Sequence, residues 1–522
     1  MRGNTSFIGK CTNCIEGTLA LPFVPHHVKD RIGFYIILQK SLMAKLSSKY
    51  STWLYEILLV IALVLQISSI FVTSDNIVQF LPGFQGQLPF TLETGYVGVG
   101  SETEKEEEAE FFYYFIESEN NPKEDPLLLW LSGGPYCSSF TGLAYEIGPL
   151  AFKEEEYNGS LPNLVLRPES WTKVSNIIFV DAPANTGFSY HKTERAAQQS
   201  TTKLVDSTHQ FLRKWLINHP AFLSNEVYIG GDSYAGIPLP AIVQEISNGN
   251  EGGVQPWINL QGYLLGNPIT LFVEPDVTKR GDIIFRNKYA ISFNHGMGLI
   301  SDELYTSLRK NCKGEHYIID PANVICLRDI QSYQKTMLGI NAEHILKPAC
   351  EFDGDPPIRR RSLTFLNSRL SLPPLSCPNY VYFLSNFWAN EDIVRKALHI
   401  RKGYPRKWKR CELGLPFQHD IRNSFQYHVN LSRKGYRSLI YSGDHDMEVT
   451  FVETQAWIRS LNYSIVDDWR QWYSNGQVAG YTRTYSNRMT FATVKGGGHT
   501  APEDKPAECF AMFSRWISNK PL

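Results

Sequence analysis

Residues 228–236 read Tyr-Ile-Gly-Gly-Asp-Ser-Tyr-Ala-Gly, a short apolar run that breaks into small residues around Ser233. A chain turning sharply from a buried strand into a helix crowds its own backbone, so the neighbours of the apex residue must be small. Gly231, Ala235 and Gly236 meet that need. They leave the Ser233 hydroxyl above the sheet, with the Tyr234 N–H facing the same point. A serine-capped turn with no chemistry has the same local pattern. The rest of the chain separates the two.

On either side lie further apolar runs, Leu127–Leu131, Ile177–Val180, Leu264–Leu265, Leu439–Tyr441 and Phe491–Val494, which with Val227–Gly230 read as buried strands. Helical patterns such as Lys203–Leu216 and Ile393–Leu398 fall between them. Strands alternating with helices predict an α/β fold, a central mixed and mostly parallel sheet with helices on both faces. Two core portions, residues 75–267 and 381–522, flank a segment of different character, residues 268–380. That segment holds four cysteines and the Pro-, Ser- and Arg-rich stretch Asp353–Ser376. It is expected to form an inserted cap over the carboxyl edge of the sheet, with residues 353–376 an exposed, protease-accessible loop.

The chain has 522 residues, 43% of them hydrophobic, ample for one large core and a smaller lobe. Lys plus Arg number 51 and Asp plus Glu 52, a formal net charge of −1, so no nucleic-acid partner is expected. Residues 53–72 (WLYEILLVIALVLQISSIFV) follow Lys45 and Lys49 and precede Thr73-Ser74. A basic segment, an apolar segment and small residues predict a secretory signal over 43–74, with 1–42 an upstream extension. The polar-free run Ile57–Leu65 is short of the ~20 residues that span a bilayer, so a membrane is expected to be met only through uncleaved signal.

Cys11 and Cys14 lie in the extension without a second ligand pair and are read as incidental. Seven cysteines follow the signal, and in an oxidising compartment most should pair. Asn158, Asn430 and Asn462 each open an Asn-x-Ser tripeptide and are candidate glycosylation acceptors. No histidine spacing suggests a metal site, and no cofactor is expected.

A serine hydroxyl is a poor nucleophile unless an imidazole takes its proton, and the imidazole needs a carboxylate to fix its tautomer. Downstream, residues 441–446 (Tyr-Ser-Gly-Asp-His-Asp) place Asp446 in a loop after one strand. Residues 496–500 (Gly-Gly-Gly-His-Thr) place His499 in a glycine loop after another. Alone, each is an ordinary loop residue. Together, in the order Ser, Asp, His, they form a candidate triad. The chemistry also needs donors for an oxyanion, and Gly133-Gly134, within residues 130–139 (Trp-Leu-Ser-Gly-Gly-Pro-Tyr-Cys-Ser-Ser), can offer backbone N–H groups.

These motifs together resemble the serine carboxypeptidase-like family of α/β-hydrolases, from about residue 78 to the end of the chain. Trp171-Thr-Lys, Gly187-Phe-Ser-Tyr, Leu265-Gly-Asn-Pro, Val394-Arg-Lys-Ala-Leu-His and Trp408 through Cys411 extend the likeness. The resemblance implies a Ser233, Asp446 and His499 triad, with the Gly134 and Tyr234 N–H groups as the oxyanion hole. It also implies disulfides Cys137–Cys411, Cys312–Cys326 and Cys350–Cys377, with Cys509 unpaired, and a vacuolar or extracellular destination.

The family contains peptidases that release a C-terminal residue and plant acyltransferases that use glucose esters. Peptidase members grip the terminal carboxylate with an Asn in the oxyanion loop and a Glu before the nucleophile. Here Ser132 and Asp232 stand at those places, beside Gly133, so a different substrate site is expected. Thr500-Ala-Pro-Glu, Asp444-His-Asp-Met and Leu260-Gln-Gly-Tyr-Leu-Leu-Gly-Asn also resemble the acyltransferase branch. The expected partners are therefore an acyl-glucose donor and an alcohol acceptor, the alternative being a peptide C-terminus. A third reading is a catalytically weak homologue kept for binding.

Three positions depart from the family pattern. Tyr136 and Asn185 replace glycines, and Thr450 replaces a proline. If Tyr136 needs positive φ, the strain is about 1 kcal/mol or more and would tilt the Gly134 amide; the alternative is that its bulk reshapes the acyl pocket. Thr450 is expected to loosen the Asp446 loop slightly.

Overall fold

The computed structural model describes residues 76–100, 108–271, 289–312, 322–350, 373–404 and 406–522. The upstream extension, the signal segment, Cys11, Cys14 and most of the 353–376 stretch lie outside the described residues.

Ten strands build the main sheet: β1 (Leu92–Val99), β2 (Ala109–Ile116), β3 (Leu127–Leu131), β4 (Asn176–Val180), β5 (Val227–Asp232), β6 (Leu260–Gly266), β7 (Arg437–Gly443), β8 (Ile465–Ser474), β9 (Gln477–Tyr485) and β10 (Met489–Val494). Their spatial order is β1-β2-β4-β3-β5-β6-β7-β10-β9-β8, and the short strand Tyr190–His191 adds to β2. The six strands from β4 to β10 in that order run parallel, with antiparallel hairpins at both ends.

The parallel strands are apolar throughout because both faces are covered. Alternation still sorts them. Leu128, Trp130, Ile177, Phe179, Tyr228, Leu264, Leu439 and Tyr441 enter one core layer, packed with Met512, Phe513 and Trp516 from the helix Pro506–Ile517. Leu127, Leu129, Leu131, Ile178, Val180, Ile229, Leu265 and Ile440 enter the other, under the helices Thr201–Asn218 and Pro238–Glu251. Thr201–Asn218 buries positions 201, 204, 205, 208, 211, 212, 215 and 216, the stripe a 3.6-residue period predicts. Ser200 caps its start by accepting from the Lys203 N–H. Each fully buried Leu or Ile here contributes about 1.5–3 kcal/mol.

Between β6 and β7 the helices Ala290–Gly296, Asp302–Asn311 and Val324–Met337 close over their own small cluster, in which Ile291, Ile300, Leu308, Ile330 and Tyr333 are buried. Cys312–Cys326 staples two of these helices. Cys350–Cys377 ties the end of this segment to the approach of the helix Tyr380–Ala389. Cys509 is buried and unbonded. Among the described residues no helix is long and apolar enough to cross a membrane.

Candidate active site

The strand β5 ends at Asp232, and the chain enters a tight 3₁₀ turn, Ser233–Gly236, with Ser233 at φ +54°. An L-residue in that region is strained, and strain at a nucleophile holds its hydroxyl outward from the sheet edge. Ser233 Oγ lies 2.8 Å from His499 Nε2, and His499 Nδ1 lies 2.8 Å from Asp446 Oδ2. An ionised carboxylate can only accept, so Nδ1 carries the proton and Nε2 presents its lone pair to the serine. The three residues named from the sequence meet at one point.

Asp446 is fully buried and takes four donors. Oδ2 accepts from His499 and from Asn267 Nδ2 at 2.7 Å; Oδ1 accepts from the N–H groups of Glu448 at 2.8 Å and Val449 at 3.1 Å. Burial still raises its pKa above the ordinary aspartate value, against the pull of His499 and these hydrogen bonds. For His499, burial opposes protonation, but the Asp446 carboxylate outweighs it and lifts the imidazole above its usual range. Asn267, at the end of β6, was legible only as part of a family motif. Its own Oδ1 accepts from the Gly443 N–H, so it ties two strand ends to the carboxylate. Thr450, which replaces a family proline beside this loop, supplies a hydrogen bond that proline lacks. Its side chain accepts from the Glu453 N–H and caps the helix Phe451–Ser460.

The loop after β3 brings Ser132, Gly133 and Gly134 beside the nucleophile. A Cβ on Gly133 would stand 2.7 Å from Ser233 Cβ, so only glycine allows this approach. Gly133 N–H donates to Asp232 Oδ1 at 3.1 Å, and Gly134 sits at φ +118°. Cys137–Cys411, the pairing the resemblance implied, clamps this loop to the segment after residue 406. A second anchor escaped sequence reading. Buried Asp181 accepts from Ser138 Oγ at 2.6 Å, from Ser139 N–H at 3.0 Å and from Phe188 N–H at 2.9 Å.

Tyr136 and Asn185 do hold positive φ, +72° and +76°. The Tyr136 ring packs edge-on against Phe417 and its hydroxyl donates to the Pro416 carbonyl at 2.9 Å. Strain at this site is offset by those contacts.

Around Asp232 lies a group of buried titratable side chains. Asp232 and Glu146 repel one another there, and burial first, then that repulsion, raises Glu146 well above the glutamate range. Burial lifts Asp232 to about 6, against the opposing pull of His499. Glu503, accepting from the Tyr382 hydroxyl at 2.7 Å, is lifted by burial to about 7. Arg410 stacks its guanidinium 4.1 Å from the Tyr382 ring centroid. Ser132 Oγ, Glu146 Oε2 and Arg410 Nε are buried and make no hydrogen bond. Glu146 carries no motif of its own and was not read as a site residue.

These acids set the pH dependence of stability. Asp181 and Glu453 are also pushed up by burial, each to about 7. A carboxyl with a raised folded pKa binds more protons folded than unfolded, so its stabilisation is greatest at acid pH. That advantage disappears as pH climbs from about 4 towards 7. The melting temperature is therefore expected to be several degrees higher at pH 5 than at pH 8 by scanning calorimetry. Equal or reversed values would contradict the raised carboxyls.

Asn158 and Asn462 are exposed, whereas Asn430 lies within the helix Phe425–Arg433 with its amide nitrogen donating to Gln244 Oε1 at 2.9 Å.

Comparison with known proteins agrees with this geometry. Residues 82–519 match the serine carboxypeptidase family. The chain is 52% identical over 462 residues to serine carboxypeptidase-like 19 of Arabidopsis thaliana, covering 86% of this chain and 96% of that one. It is 51% identical over 473 residues to serine carboxypeptidase-like 17 of Arabidopsis thaliana, covering 91% and 99%. In structure it is similar to a prohormone-processing carboxypeptidase from Saccharomyces cerevisiae, with a TM-score of 0.66 and 19% identity over 86% of this chain and 96% of that one. That likeness speaks to the α/β-hydrolase fold. The sequence matches speak to descent, and by them this chain belongs to the serine carboxypeptidase family, an enzyme family of hydrolases and acyltransferases.

Proposed function

We propose that the chain transfers an acyl group from a 1-O-glucose ester to an alcohol through an acyl-serine on Ser233. The observation that carries the acyl-serine is the unbroken relay from Ser233 through His499 to Asp446. His499 Nε2 takes the Ser233 proton as Oγ attacks the ester carbonyl, and the Gly134 and Tyr234 N–H groups receive the oxyanion. The sugar oxygen leaves with the proton from Nε2. An alcohol then gives its proton to Nε2 and attacks the acyl-serine, and the proton returns to Oγ.

The mix of polar groups around Asp232 favours a sugar as leaving group. A terminal carboxylate wants several donors, whereas Ser132, Asp232, Glu146 and Arg410 mix donors with acceptors, as a polyhydroxyl requires. Ser132 and Asp232 are also shorter than the Asn and Glu that grip a peptide terminus. The carboxypeptidase reading is supported by one feature: when protonated, the Glu146–Asp232 pair could donate to a carboxylate. A secretory route to the vacuole or the exterior accords with the signal-like segment and the three disulfides.

The test is direct. Protein incubated with an acyl-glucose and an alcohol is expected to form the new ester faster than free acid. A blocked dipeptide should lose its terminal residue far more slowly. Dipeptide cleavage without ester formation would establish the peptidase instead. No labelling of Ser233 by a fluorophosphonate would leave only the binding homologue.

A further inference from the structure

His499 stands on a loop of three glycines, a backbone with little stiffness of its own. Its position is nevertheless tied from outside at successive N–H groups. Gly496 N–H donates to Asp444 Oδ1 at 2.7 Å, Gly498 N–H to Asp504 Oδ2 at 2.8 Å, and His499 N–H to the Glu343 carbonyl at 2.7 Å. The last partner belongs to the segment between β6 and β7. Residues 342–347 of that segment lie along both loops of the triad. The Ala342 carbonyl accepts from Met447 and Glu448 N–H at 2.9 and 3.1 Å, and Ile345 N–H donates to the His445 carbonyl at 3.1 Å. The approach is close. A Cβ on Gly498 would stand 2.4 Å from the Glu343 carbonyl oxygen and 2.9 Å from His344 Cβ.

One side-chain pair closes this arrangement. Lys347 Nζ pairs with Asp504 Oδ1, while Oδ2 of the same carboxylate receives Gly498 N–H; Asp504 is 7% exposed and Lys347 37%. His344 Nε2 also faces Asp504, at 3.9 Å. Half-buried, the ion pair is shielded from solvent enough to fix a geometry, which an exposed pair would not.

We propose that Lys347 and Asp504 are positioning residues for His499: their ion pair locks residues 342–347 onto the glycine loop and holds the imidazole in line with Ser233. Neither touches substrate. They act by aiming a base whose error of about 1 Å costs a large factor in rate. This rests on Ser233, Asp446 and His499 forming the working triad.

The readout is the rate at which a fluorophosphonate labels Ser233, which depends on the nucleophile and not on the identity of donor or acceptor. Lys347→Met is expected to label about tenfold more slowly, with kcat reduced in proportion and KM within about twofold. Lys347→Arg, which keeps the charge, should recover most of the rate. Because contact with Asp446 lifts the imidazole, a loosened His499 should also move the labelling pH midpoint downward in Lys347→Met. Asp504→Asn should reproduce these changes, and melting curves taken alongside identify any variant that fails to fold; if Lys347→Met does so, Lys347→Gln takes its place. Wild-type labelling with an unmoved midpoint in a folded Lys347 variant would overturn the proposal. So would a loss that arginine does not recover. If Ser233→Ala were labelled as well as wild type, the triad itself would be wrong, a distinguishable failure.

Discussion

Ser233→Ala is expected to lower turnover on any ester or peptide substrate by about 10⁴-fold or more, with substrate affinity nearly unchanged. The hydroxyl is the atom that becomes bonded to the acyl group, and His499 Nε2 at 2.8 Å is placed to take its proton. Removing it deletes the covalent path while the backbone donors and the polar groups around Asp232 stay in place. What rate remains would come from those groups acting on water or an alcohol directly. Folding should be unharmed, since φ +54° is somewhat costly for alanine and serine alike. Rapid-mix kinetics with a chromogenic ester check this: wild type should show a burst of released alcohol and the variant none. A variant retaining the wild-type rate would remove the acyl-serine from the mechanism.

Asp446→Asn should cost nearly as much, about 10⁴-fold in kcat, for a different reason. All four groups around the carboxylate are donors: His499 Nδ1, Asn267 Nδ2 and the N–H groups of Glu448 and Val449. An asparagine amide must turn its NH₂ towards one pair or the other. Facing His499, it forces the proton onto Nε2, where it blocks transfer from Ser233. Facing the backbone, it leaves the buried Val449 N–H unpaired, at about 1–3 kcal/mol, and the Glu448 N–H with only the Ala342 carbonyl. The pH dependence gives the diagnosis. Loss of the carboxylate should lower the imidazole pKa towards or below the ordinary histidine range, since Asp446 is what lifts it. Retained activity with an unmoved profile would mean another group orients His499.

Much of this was readable before any coordinates. The glycines around Ser233, the loop positions of Asp446 and His499 and the paired glycines near residue 133 are local constraints. Each depends on what a few neighbouring residues permit a backbone to do, and so each leaves a mark in a short stretch of chain. Strand interiors were legible for the same reason, although their ends were not: β6 runs from Leu260 to Gly266, well beyond the pair Leu264–Leu265. Polar residues at a strand end are buried by what packs on them, and that is decided elsewhere. The outer strands β1, β8 and β9 escaped notice because their residues alternate or mix in ways a loop can also show, and β2 was missed although its residues are buried throughout.

Tyr136 shows the boundary well. Its departure from glycine was plain in the chain, and the positive φ followed from the family position. Only packing could say that its ring would settle on Phe417. Asn267, Asp181 and Glu146 lie on the far side of that boundary. Asn267 reaches Asp446 across 179 residues, and Asp181 holds Ser138 across 43.

The chain by itself determined a strand–turn–helix nucleophile, the order of its partners and the class of chemistry they serve. Folding alone decided which carboxyls would be stripped of water together and how residues 342–347 are bonded along the glycine loop. The reason is physical. Backbone conformation is a property of neighbours in sequence, whereas desolvation and charge coupling are properties of neighbours in space.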